Sequence, residues 1–263
     1  MCLILFAYNK HPQYKLVVAA NRDEFYDRPA APMAFWTEAP KLLAGRDLKA
    51  GGTWLGVTRS GRFAAITNFR DPAAVKTDAP SRGHLVSDYL LGNDSAKVYI
   101  DKLSPIADRY NGFNLLAGDE AGLWYFSNRG GAPRPLAPGL YGLSNHLLDT
   151  PWPKVEVGRR RLRTILESLS DDININRENE YTRLSEQLFD MLQDRAVPAD
   201  EELPDTGIGR DWERQLAPIF IESPRYGTRS STVLVLDTDN HGFAAEKNYL
   251  PNHDGAPARN FIL

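Results

Sequence analysis

Hairpins constrain this chain more than any other feature. "GGTWLGVTRSGRFAAITNF", "GFNLLAGDEAGLWYFSN" and "STVLVLDTDNHGFAAEKNY" each set two apolar, β-rich runs around a short turn: Ser60-Gly61, "GDEAG" or "TDNHG". "CLILFAYN" and "YKLVVAANRDE", separated by "KHPQ", give two more strands at the start. Strands that return at once on themselves predict antiparallel sheets rather than repeated βαβ crossovers. Helical spacing fills the middle. Val155, Leu162, Ile165, Leu166 and Leu169 predict a helix over 153–169, and Tyr181, Leu184, Leu188 and Leu192 predict one over 178–193. "DSAKVYIDKLSPIADRY" predicts a third that Pro105 breaks or kinks. The stretch "AVPADEELPDTGIGRDWERQLAPIFIESPRYGTR" is rich in Pro, Gly and charge and predicts a long loop of the kind that often carries function. The class is α+β. With no internal repeat and no clean linker, residues 1–263 are expected to form a single domain.

Composition narrows the function. At 42% hydrophobic residues the chain has ample core-forming material. A net charge of −3 argues against a dedicated nucleic-acid binder. One cysteine in 263 residues allows no internal disulfide, so the fold needs no oxidising compartment. The run Cys2 to Tyr8 lacks a basic n-region and a small-residue cleavage site, and no stretch is long enough to span a bilayer. The expectation is a soluble, cytoplasmic protein whose oligomeric state the sequence leaves open.

That single cysteine is Cys2, directly behind the initiator methionine. It reads two ways. It is a small apolar residue opening a buried strand, or it is a nucleophile. In the second case, removal of Met1 exposes an α-amine whose reference pKa of about 7.7–8.0 suits it to take the thiol proton. In "AANRDEFYDRP", Asn21, Arg22, Asp23 and Glu24 close an apolar strand, as a solvated turn or as a site at the sheet rim. Arg22 would lower a nearby thiol pKa or grip a carboxylate, and Asp23 would orient an ammonium. Adjacent strand residues face opposite ways, so the two share a site only where the strand ends or bulges. Asn68 in "TNF" and Asn145 in "GLSN" are turn asparagines or oxyanion donors. Arg229 in "RYGTRSS" precedes a clear strand.

Taken together, "MCLI", "ANRDEFYDRP", "GGTWLG", "TNFRDP", "GLSN…DTPWPKV" and "YGTRSSTVLVLD" resemble, in order and over essentially the whole chain, the NRDE family, also called the transport and Golgi organisation protein 2 family. The resemblance implies an N-terminal-nucleophile (Ntn) type αββα sandwich, two stacked antiparallel sheets flanked by helices. It extends to bile-salt hydrolases, penicillin V acylases and acid-ceramidase-like amidases. By that likeness Cys2 matches the nucleophile, Arg22 and Asp23 the pair behind it, and Asn68 and Asn145 the oxyanion partners. Arg229 matches a late arginine. In those amidases two residues usually separate the arginine from the aspartate, whereas here the two are adjacent.

Two functions follow from the resemblance. One is a cysteine amidohydrolase or thioesterase acting on an acyl-conjugated small molecule, with no cofactor required. The other is a non-catalytic carrier of heme, acyl-CoA or lipid that uses the same pocket. Asn21, Glu24 and His146 are the expected ligand contacts, and His146 or the Cys2 thiolate would be the axial ligand of a heme. No metal-ligand spacing occurs, and "GIG" at 207–209 lacks the context of a dinucleotide loop. The arginines at 159, 160, 161 and 163 form a solvated helix face or a phosphate contact. "GGTWLG" is structural, its glycines turning the chain and Trp54 entering the core.

Overall fold

A computed structural model describes residues 2–169, 177–239, 241–249 and 256–263. In chain order the strands are β1 (Cys2–Tyr8), β2 (Tyr14–Phe25), β3 (Ala30–Trp36), β4 (Ala39–Asp47), β5 (Leu55–Thr58), β6 (Phe63–Asn68), β7 (Phe113–Asp119) and β8 (Gly122–Ser127). They continue with β9 (Arg134–Pro135), β10 (Gly139–Leu143), β11 (Tyr226–Asp237), β12 (Gly242–Asn248) and β13 (Arg259–Ile262). The helices are α1 (Gly83–Leu91), α2 (Ala96–Leu103), α3 (Pro153–Glu167), α4 (Arg177–Leu192) and α5 (Arg210–Leu216). The class is α+β with two antiparallel sheets, as the hairpin pattern requires. The three quoted hairpins are β5–β6, β7–β8 and β11–β12. No helix among the described residues is long and apolar enough to cross a membrane.

The chain divides into two compact units assembled from interleaved segments, which is why no linker marks a boundary. The first comprises Cys2, Asp27–Ala137 and Ser144–Leu148. Its seven strands run in order from β3 to β9. Leu85, Val86, Tyr89 and Leu90 of α1 pack with Ile100 and Leu103 of α2 onto Trp36, Leu42, Ala64, Ile66, Leu115 and Phe126. Pro105 ends α2, and the chain tightens into a 3₁₀ turn over Ser104–Arg109. Trp54 is only partly buried rather than a core residue. Its ring lies so close to Gly45 that a Cβ there would sit 2.4 Å from it.

The second unit comprises Leu3–Tyr26, Pro138–Leu143 and Asp149–Leu263, with strand order β10-β1-β2-β11-β12-β13. Alternation puts Leu3, Leu5, Ala7, Val17, Ala19, Val233 and Val235 on one face, against Trp152, Val155 and Leu162 of the α3 region and Leu184, Leu188 and Leu192 of α4. Intervening residues such as Ile4, Phe6 and Val18 are buried too, so these strands read as unbroken apolar runs. The expected loop over 196–229 is more ordered than its composition suggests. It holds a 3₁₀ turn at Asp200–Glu202, then α5, and Tyr226 already belongs to β11.

Candidate functional site

Four of the expected site residues lie in the first unit. Cys2 opens β1, is partly exposed and forms no disulfide. Its carbonyl accepts the Ser144 hydroxyl at 3.4 Å. Asn68 ends β6, and its carbonyl accepts Nδ2 of Asn145 at 2.9 Å, while Arg70 N–H returns to the Asn145 carbonyl at 2.7 Å. Asn145 is fully buried. One of its amide hydrogens is therefore spent on Asn68, whereas the partly exposed Asn68 amide makes no side-chain hydrogen bond among the described residues. Asn145 thereby braces the strand end at Asn68. The His146 ring lies 4.8 Å from that of Phe69, and burial pushes its pKa below the usual histidine value, which leaves the imidazole neutral at pH 7.

A buried network that sequence reading missed holds this segment. Thr67 Oγ1 donates to the Ser144 carbonyl at 2.7 Å and accepts from Asn114 Nδ2 at 3.0 Å. Asn114 also donates to the His146 carbonyl at 3.0 Å, its Oδ1 accepts the Tyr125 hydroxyl at 2.8 Å, and that hydroxyl accepts Leu148 N–H at 3.1 Å. Thr67 and Ser144 directly precede Asn68 and Asn145, so adjacency in sequence is their signal. Asn114 shows only as a polar interruption in "FNLLAG".

The other expected residues lie in the second unit. The polar run does not end β2, which continues through Phe25. Asn21 is buried, with Nδ2 donating to the Leu192 and Ile219 carbonyls at 2.9 Å each and Oδ1 accepting the Ser231 hydroxyl at 2.5 Å. Both its amide hydrogens are thus committed to the protein. Asp23 shares that face at 1% exposure, and Oδ1 accepts Thr228 Oγ1 at 2.8 Å. Burial pushes its pKa up, opposed first by the Lys154 ammonium, whose Nζ donates to the Leu216 carbonyl at 2.8 Å. Arg22, 6% exposed, belongs by alternation to the opposite face, across from Ser230. Glu24 is half-buried and accepts Phe25 N–H at 2.9 Å.

A bulge does occur here, but on the partner strand. Asp23 pairs with Thr228 and Arg22 with Ser230, so Arg229 is the extra residue. Thr228 and Ser231, three apart, thereby present hydroxyls to one face, one for Asp23 and one for Asn21. Arg229 donates through one terminal nitrogen to the Phe25 and Tyr26 carbonyls at 2.9 and 3.1 Å, pinning the end of β2. At the β11–β12 turn, Asp237, Asp239 and His241 bring their ligand-type atoms within 4.8 Å of one another. The Asp237 carboxylate closes that turn by accepting Asp239 and His241 N–H.

The family profile for Transport and Golgi organisation 2 matches residues 1–251. This chain belongs to that family. A Bos taurus relative, described as a Transport and Golgi organization protein 2 homolog, is 38% identical over 270 residues, covering 95% of this chain and 94% of its own. The Drosophila melanogaster Transport and Golgi organization protein 2 is 30% identical over 262 residues, covering 91% and 89%. Among solved structures, the Caenorhabditis elegans ortholog of N-acylethanolamine-hydrolyzing acid amidase superposes with a TM-score of 0.48 at 13% identity, over 89% of this chain and 92% of that one.

Proposed function

We propose that this family member is an N-terminal-cysteine hydrolase acting on the amide or thioester bond of an acyl-conjugated small molecule. The observation that carries the reading is the gathering of Cys2, Ser144–Asn145 and Asn68, far apart in sequence, into one hydrogen-bonded group. Met1 lies outside the described residues, and the reaction requires its removal. The freed α-amine of Cys2 takes the thiol proton, and sulfur attacks the acyl carbonyl. The Asn68 amide donates to the resulting oxyanion, a role worth about 3–4 kcal/mol where measured. Collapse breaks the C–N or C–S bond, and the ammonium returns its proton to the leaving amine or thiolate. Water then attacks the acyl-cysteine, giving the acid and regenerating the thiol.

The test begins with the intact mass of protein from its native host. Loss of one methionine exposes the amine, and acyl amides and thioesters are then assayed with wild type and Cys2→Ala. Turnover that falls by at least about 10³-fold in a folded Cys2→Ala variant is the expected result. Retained Met1, or full activity without the thiol, overturns it.

His146 favours a second reading, in which the site carries heme or acyl-CoA without a covalent step. A neutral, half-buried imidazole beside Phe69 is suited to ligation or stacking. Saturable binding of either ligand that weakens in His146→Ala, with no turnover of any acyl substrate, would replace hydrolysis by carriage.

A further inference from the structure

The arginine run at 159–163 does not behave as one solvated face. Arg161 is tied to Asp190 at 3.2 Å and Asp194 at 2.9 Å across to the α4 side, while Arg160 is exposed and lines a separate groove with Thr164 and Gln187. Arg159 and Arg163, one helical turn apart, face a cavity of about 540 Å³. Lys10 and His11 of the β1–β2 turn, Gly139 of β10 and Glu167 of α3 complete its polar wall. Cations from two remote segments thus converge on a concavity that holds one carboxylate, in a protein of net charge −3.

Two close approaches seat α3 on the strands beside the cavity. A Cβ on Gly158 would stand 2.4 Å from Leu5 Cδ1, so α3 sits down on β1 as only glycine allows. A Cβ on Gly142 would stand 3.2 Å from Cγ and Cδ of Arg159, so that side chain lies flat across β10. Its Nη1 leans on Asp149 at 3.4 Å and Glu156 at 3.7 Å, while its buried Nε has no hydrogen-bond partner among the described residues. Arg163 and Lys10 make no ion pair among the described residues.

We propose that this cleft binds a phosphomonoester dianion through Lys10, Arg159 and Arg163. Two guanidinium groups and an ammonium around one concavity are the donor set that recognises phosphate oxygens. The cleft is lined by residues of the second unit and shares none with Cys2, Asn68 and Asn145, so the proposal does not rest on the acyl chemistry.

The test is titration of full-length protein with inorganic phosphate at pH 7.5 and low salt, read by amide chemical shifts. In parallel, the protein is sedimented with phosphatidylcholine vesicles with and without phosphatidic acid. Expected is saturation below about 1 mM, with shifts at His11, Gly139 and Arg163. Lys10→Gln/Arg163→Gln, two exposed positions that leave the packing intact, should weaken binding at least tenfold, and Arg160→Gln on the same helix should not. Binding to free phosphate assigns a soluble ligand, and binding only to phosphatidic acid vesicles assigns a lipid headgroup. No binding to either overturns the proposal, as does equal weakening by Arg160→Gln, which would mean diffuse charge rather than a site.

Discussion

Asp23 is a carboxyl group held out of water, and burial disfavours its ionised form. Its folded pKa is raised above the unfolded value, so its contribution to stability is fully present below the unfolded pKa near 3.8 and is lost as pH rises through the folded one. Asp23→Asn keeps an acceptor for Thr228 and removes the titratable group. The variant is expected to melt higher than wild type at pH 7, with the gap closing as pH falls towards 3.8, as thermal scans across pH would show. A gap independent of pH would rule out titration of Asp23 as its source. Tyr125 sets the opposite problem, since its hydroxyl joins Asn114 to Leu148. Tyr125→Phe should cost about 1–3 kcal/mol in denaturant unfolding, because a buried amide oxygen and an N–H lose a shared partner. The site was legible at this scale where polar residues cluster in sequence: Asn21 to Glu24, Asn68 and Asn145. Asn114 and Tyr125 were not, because each is one polar group in an apolar strand and its meaning lies in partners 11 to 47 residues away.

Elements were legible in proportion to how local their causes are. The β5–β6, β7–β8 and β11–β12 hairpins carry both strands and the turn in one window, and α3 and α4 repeat their apolar stripe over several turns. The β3–β4 pair escaped because Pro32 interrupts the run. Pro32 falls where the ladder shifts register between Ala31 and Ala34, on an edge strand where a missing N–H is tolerated. Short α5 was hidden by its Pro- and Gly-rich flanks. The placement of α3 against β1 depends on Gly158, and no periodicity reports that. Gly158→Ala would gain helix propensity on an isolated helix, yet here its methyl would meet Leu5, so about 1–3 kcal/mol of stability should be lost. On a Leu5→Ala background, itself destabilised by the lost core contacts, adding Gly158→Ala should cost less than it does in wild type. An increase in melting temperature from Gly158→Ala alone would show that α3 has room to lift.

At the scale of the molecule, the interleaving of segments decides what can be cut away. Residues 27–148 contain all of β3 to β9 with α1, α2 and the Ser144–Leu148 segment that bonds Thr67 and Asn114. Expressed alone, that fragment is expected to be soluble and β-rich by circular dichroism, with one cooperative melt; a broad, non-cooperative profile would contradict this. No continuous piece contains the second sheet, whose strands come from both ends of the sequence and from 139–143. The same arrangement has a consequence during synthesis. β2 is complete at Phe25, but its neighbour β11 begins at Tyr226, roughly 200 residues later. At about 5–20 residues per second, the apolar strand that will occupy the middle of the sheet waits about 10–40 s outside the ribosome without that partner. For that interval one edge of β2 is an unpaired apolar strand, the kind of exposure that chaperones exist to cover.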